Sequence, residues 1–207
     1  MAKSSTSYIF FSLPVIFYLP LFKAEYNIMS FGAKSNGHTD STKAFLKAWS
    51  YAYSSFNEAT IYVPSEKFLV GHVHFNGPCK SRVLIKMKGT LLAPFDYKGS
   101  GNKWIVFKNV DGLAIQGGTV DGWGQALWKC KESRGNCPHY AKIKMCNDCI
   151  SMSDGTRNMW AERISCGPGH GISIGSIGKS YNEKGVQNIT VKDTVFTGSD
   201  NGLRIKA

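Results

Sequence analysis

The chain has 207 residues, 43% hydrophobic and 19% charged, which suits one or two folded domains with a sizeable core and excludes a disordered tail. Basic residues outnumber acidic ones 25 to 14, a formal charge of +11 that favours polyanionic partners: nucleic acid, an anionic membrane or an acidic polysaccharide. The 22 glycines, against 7 prolines and no low-complexity block, point to a globular chain with many turns.

Residues 1–24 read as a secretory signal. Lys3 supplies a short positive n-region, and Tyr8 to Phe22 form an apolar run shorter than the about 20 residues a membrane-spanning helix needs. Cleavage is expected after Ala24, although Phe22 is bulky for the −3 position; an uncleaved anchor is the alternative. Removal of Lys3 and Lys23 leaves 23 basic against 14 acidic residues, +9, on the domain 25–207. Secretion and the absence of any nucleic-acid motif argue for no nucleic-acid partner and no stable membrane association after cleavage. An acidic polysaccharide fits the charge best, a merely soluble basic surface being the plain alternative.

After the signal, "EYNIMSFGAKSNGHTDSTKAF" predicts a short strand, a polar Gly-containing turn and a helix over 41–53. Asp40 or Ser41 is the N-cap, and Ala44, Phe45, Ala48, Trp49 and Ala52 share one face at the helical period. From Thr60 onward come short β-rich runs broken by Gly, Asn, Asp and Pro: "TIYV", "RVLIKMKG", "WIVFKNVDGLAIQGGTVDG", "NMWAERISCGPGHGISIG" and "NITVKDTVFTGSDNGLRIK". The last three share one shape and recur about every 20–30 residues, a solenoid period. Strands too short to bury both faces alone are buried by stacking. The fold predicted is all-β, a right-handed parallel β-helix with a short N-terminal capping helix; a β-sandwich is the alternative.

Several residues invite chemical readings. Cysteines stand at 79, 130, 137, 146, 149 and 166, and six allow 15 pairings. Cys146-x2-Cys149 with Cys166-x3-His170 has the spacing of a Cys3His zinc site, but disulfides prevail in a secreted chain, so no metal and no cofactor are expected. His72 and His74 alternate onto one strand face without acids or cysteines nearby, which suits exposed histidines rather than ligands. Trp123, Trp128 and Trp160 either pack in the core or stack on sugar rings. Asn188-Ile189-Thr190 is an N-glycosylation sequon. In "ISCGPGHGISIGS", Gly169 and Gly171 flank His170 and allow close backbone approach. Arg204 and Lys206, two apart on a strand, project from one face and suit a carboxylate ligand.

Together "YNIMSFGAKSNGHTDSTKAF", "GGTVDGWGQALWKC", "CGPGHGISIGS" and "RIK" resemble the plant polygalacturonases, secreted glycoside hydrolases that cleave the α-1,4-galacturonan backbone of pectin in the cell wall. The resemblance runs from about Tyr26 to Ala207. It implies a pectin-lyase-like solenoid, a monomer acting on homogalacturonan, His170 beside the catalytic carboxylates, and Arg204 and Lys206 on substrate. It also implies the disulfide Cys149–Cys166; Cys130 and Cys137 then form a local loop bridge, leaving Cys79 and Cys146. Two signatures depart from the family. Its Asn-Thr-Asp triplet is absent, and its Gly-Asp-Asp-Cys is Cys146-Asn147-Asp148-Cys149 here, so an internal deletion and a C-terminal truncation are expected. By resemblance Asn147 holds the general-acid position and Asp148 shares the water-activating role. An amide cannot deliver a proton near neutral pH, and loss of a general acid or base costs about 10²–10⁴-fold, so impaired hydrolysis is expected; a non-catalytic pectin binder is the alternative.

Overall fold

The computed structural model describes residues 23–94, 103–122 and 148–207. The signal segment up to Phe22, with Trp123, Trp128, Cys130, Cys137, Cys146 and Asn147, lies outside them. Ala24, the expected last signal residue, is the first of β1 (Ala24–Asn27) and pairs with Ala59.

The predicted helix is α1 (Thr42–Ser54), and the five residues assigned to its inner face are the ones buried. Ser41 holds the N-cap position without a side-chain cap bond; its Oγ instead accepts from the Lys34 amide at 3.0 Å. Asp40 Oδ1 takes the Thr42 amide at 2.9 Å and the Thr42 hydroxyl as well. The polar turn expected before the helix is more ordered than its composition suggested: a 3₁₀ turn (Ile28–Phe31) precedes β2 (Asn36–Asp40). Asn36 closes a local turn by accepting the His38 and Thr39 amides, so the polar residues support the strand's bend.

The rest is a solenoid of three-strand coils. The first coil is β3 (Ala59–Val63), β4 (Lys67–Leu69) and β5 (Val73–Asn76). The second is β6 (Val83–Met87), β7 (Thr90–Leu92) and β8 (Ile105–Lys108). The third is β9 (Asp111–Gln116), β10 (Thr119–Asp121) and β11 (Ile150–Met152). The fourth is β12 (Arg157–Glu162), β13 (Ser165–Cys166) and β14 (Ile172–Gly175). The last is β15 (Gln187–Lys192), β16 (Val195–Phe196) and β17 (Leu203–Lys206). Stacking gives three parallel sheets, β1-β3-β6-β9-β12-β15, β2-β4-β7-β10-β13-β16 and β5-β8-β11-β14-β17.

Coil-to-coil register comes from the alternation of inward and outward side chains. Val83, Leu113, Met159 and Ile189 stack through the first sheet, and Phe75 lies on Phe107 in the third with ring centroids 5.1 Å apart. Trp49 of α1 seats on Phe75 at 4.9 Å, so the helix plugs one end of the apolar column. Turns repeat too: Gly112, Asn158 and Asn188 take φ of 74°, 51° and 51° at the start of successive first-sheet strands. Asn tolerates this left-handed region better than most side chains, which explains its recurrence in the fourth and last coils where the third has glycine. The strands on either side of residues 123–147 stay in step, since Leu113 pairs with Met159 and Val106 with Ser151. At the last coil the inner row of the third sheet is open to solvent, with Leu203 and Ile205 at 55% and 72% exposure.

Candidate active site

The site sits at the third sheet, where Ser151, Ser173 and Arg204 are register partners on its outer face. Asp148 lies just before β11, held by a backbone bridge to Lys103, and its side chain is completely buried. Four side chains satisfy it. Oδ1 accepts from Arg204 at 2.6 Å; Oδ2 accepts from Ser173 at 2.6 Å, Lys206 at 2.7 Å and Ser151 at 2.9 Å. Burial alone would raise its pKa, but the bonds from Lys206, Ser173 and Arg204 and the Lys206 charge outweigh it and hold the carboxyl below the usual range. Near neutral pH Asp148 is therefore held as the anion, a poor proton donor and a weak base.

Arg204 and Lys206 do share a face as the sequence predicted, and both turn toward Asp148. One anion faces two cations, and Lys103 adds a third charge: its ammonium donates to the Gly175 carbonyl at 2.6 Å, beside Lys206 in register. Burial first, then repulsion from Lys206, lowers the Lys103 pKa, with Asp148 opposing. The described side chains here thus carry a net positive charge, which favours an anionic ligand.

His170 stands one step along. Its Nδ1 is 2.7 Å from Asp200 Oδ2, a pair that is ionic only when the ring is protonated. Burial chiefly, then Arg204 and Lys206, lowers the His170 pKa against the opposing pull of Asp200 and Asp148. Gly171 has φ +78°, and an added Cβ there would collide with the carbonyls of Asn201 and Gly202. Gly169 serves differently, bridging to Ser199. Among the described residues three buried polar side-chain atoms lack a hydrogen-bond partner, and all belong here: His170 Nδ1, Ser199 Oγ and Arg204 Nε.

Cys149 and Cys166 form a disulfide with sulfurs 2.06 Å apart, joining the start of β11 to β13. That removes both from the zinc alternative, and no group of three or more potential ligands occurs among the described residues. His72 and His74 bring their Nε2 atoms to 2.6 Å with rings stacked, a pair bonded to each other. Trp160 is 43% exposed, so it is not core. Ser151, Ser173, Lys103 and Asp200 carry the site and were missed in the sequence. For Asp200 a signal existed: Met159 pairs with Ile189 and Cys166 with Phe196, and the same 30-residue step takes His170 to Asp200.

A parallel β-helix thus brings a buried carboxylate, a histidine and paired cations together beside one sheet. Two solved structures share the fold: a protein from Parabacteroides merdae (TM-score 0.61, 19% identity, covering 87% of this chain and 79% of that one) and a hyperthermoactive exopolygalacturonase from Thermotoga maritima (TM-score 0.53, 17% identity, 90% and 55%). The profile of Glycosyl hydrolases family 28 matches residues 54–140 and 130–207, and the chain belongs to that family. A polygalacturonase of Prunus persica is 39% identical over 272 residues, spanning 95% of this chain and 69% of that protein. An exopolygalacturonase of Zea mays is 35% identical over 254 residues, 88% and 62%. This chain thus spans about two thirds of these relatives. Because the first alignment covers 272 positions and the chain has 207 residues, at least 65 positions of the peach protein face a gap here.

Proposed function

We propose that this is a secreted, polygalacturonase-type protein that engages the α-1,4-galacturonan of pectin over the outer face of the third sheet, with hydrolysis strongly impaired. The observation that carries the reading is the state of Asp148, wholly buried, ionised and shared between Arg204 and Lys206. Inverting hydrolysis needs one protonated and one ionised carboxyl group about 6.5–9.5 Å apart. Asp148 fills only the ionised role, and the position that resemblance assigns to the acid is Asn147.

Binding has better support. Arg204 and Lys206 leave a positive surplus after Asp148 is neutralised, and Arg204 keeps Nε without a partner. A uronate carboxylate would take that surplus while a ring hydroxyl meets Ser199 or His170. The same observation favours a second reading, a pectin-binding protein without catalysis. Reducing-end release from polygalacturonic acid by the purified secreted chain, beside a His170→Ala control, tests the first. Release lost in the control supports residual catalysis at this site. No release, with mobility retarded in polygalacturonate gels and restored by Arg204→Ala, leaves the binding protein. Neither release nor retardation would overturn both.

A further inference from the structure

The outer face of the first sheet, remote in register from Asp148, carries a second constellation. Strand alternation points Asn158 and Trp160 of β12 outward beside Asn188 and Thr190 of β15, and Trp160 is the register partner of Thr190. With Arg82 and Asp111 they line a cavity of about 530 Å³. Asn188 and Thr190 are the first and third residues of the sequon read in the sequence.

Two bonded chains pre-arrange this surface. The Trp160 indole N–H donates to Glu162 Oε2 at 2.8 Å, which fixes the ring and leaves its face as what it offers. Asn158 Nδ2 donates to Asp111 Oδ1 at 2.8 Å, and Asn188 Nδ2 donates to Asn158 Oδ1 at 2.6 Å. The atom that N-glycosylation modifies is therefore already aimed along the sheet toward the cavity. An amide nitrogen has two hydrogens, and the ladder uses one.

We propose that Asn188 carries an N-linked glycan whose first N-acetylglucosamine lies in this cavity against the Trp160 ring. The inference rests on entry into the secretory pathway, part of the reading above. In the transfer, a lipid-linked oligosaccharide pyrophosphate supplies the sugar: the bond from sugar C1 to Asn188 Nδ2 forms, the bond from C1 to the pyrophosphate oxygen breaks, and Nδ2 releases one proton. The remaining N–H keeps the bond to Asn158, so modification leaves the ladder intact. The apolar face of a pyranose suits an exposed indole, and its hydroxyls and acetamide suit Asn158, Arg82 and Thr190. Charge separates this surface from the third sheet. Asp111 is matched by Arg157 at 2.7 Å and Glu162 by Arg163 at 2.7 Å, a balance suited to a neutral sugar rather than a polyuronate.

The test uses the chain behind an established heterologous leader in a eukaryotic secretory host, so failure of residues 1–24 as a leader affects only the proposed localisation. Peptide-N-glycosidase should remove the mass of one glycan, absent in Asn188→Gln. In the glycosylated chain, the first sugar's ring or N-acetyl protons should show upfield aromatic shifts in NMR. Those shifts should persist in Trp160→Phe and vanish in Trp160→Leu. A secreted chain without glycan at Asn188 overturns the proposal, as does a glycan whose shifts are unchanged by Trp160→Leu.

Discussion

Arg204 reaches from β17, across the Ser173 position of β14, to Asp148 at 2.6 Å, so a cation expected on substrate is bound to a buried anion of its own chain. Asp148→Asn removes the charge that Arg204 and Lys206 share. Their side chains remain 26% and 22% exposed, so the loss of stability should be on the order of 3 kcal/mol, the lower end of the about 3–5 found when a buried pair loses one member. The freed cations should tighten polygalacturonate binding severalfold. Urea denaturation and gel retardation measure the two effects; an unchanged midpoint would remove Asp148 from the ion-pair network.

Stability should fall on acidification in two stages. His72, His74 and His170 have pKa values lowered from 6.5, chiefly by burial, so below 6.5 the unfolded chain binds more protons and folding weakens as pH falls toward the folded values. Asp148 is lowered from 3.8; its contribution is full above that value and is lost as pH falls through its folded pKa. Denaturant midpoints between pH 8 and 3 should show both limbs, the first flattened by His72→Gln with His74→Gln and the second by Asp148→Asn. A flat profile from pH 7 to 5 would contradict the first.

Reduction of Cys149–Cys166 opens a loop of 17 residues. By chain entropy a loop of this size contributes about 3 kcal/mol. The double variant Cys149→Ser with Cys166→Ser should melt several degrees lower while keeping its β-sheet circular dichroism. Equal melting with and without reductant would show that the coils hold β11 and β13 without the bridge.

Restoring a carboxyl at position 147 should not restore catalysis. Asn147→Asp returns the residue type that the family resemblance places there, yet the partner triplet is absent and Asp148 remains tied to Arg204 and Lys206. Reducing-end assays should stay at least about 10²-fold below a full-length relative, the usual cost of one missing acid or base. Activity approaching the relative's would show that Asp148 and Asp200 suffice.

The architecture was legible because period and alternation are local properties: helix residues 44, 45, 48, 49 and 52 and the β-runs could be read from spacing alone. The Cys149–Cys166 pairing needed the family resemblance, since six cysteines allow many pairings. Residues Asn36–Asp40 were read as a turn because polar composition hides a strand paired at one edge. The ion-pair network was not legible. Asp148, Ser173 and Arg204 are separated by 25 and 31 residues and meet only through coil stacking, so side-chain type suggested ligands where the fold supplied internal partners.

The register of β9 against β12 carries a rule for chain length. Met159 sits on Leu113 after 46 residues, whereas Ile189 sits on Met159 after 30, yet both pairs align the same inward row. Extra residues inside a coil therefore change its length but not its phase: the long step from β10 to β11 is accommodated because the chain re-enters with Met152 over Phe107. Lineages can then lengthen or shorten this solenoid in whole storeys, and a shortened copy keeps its walls while losing whichever reactive groups stood on the floors removed.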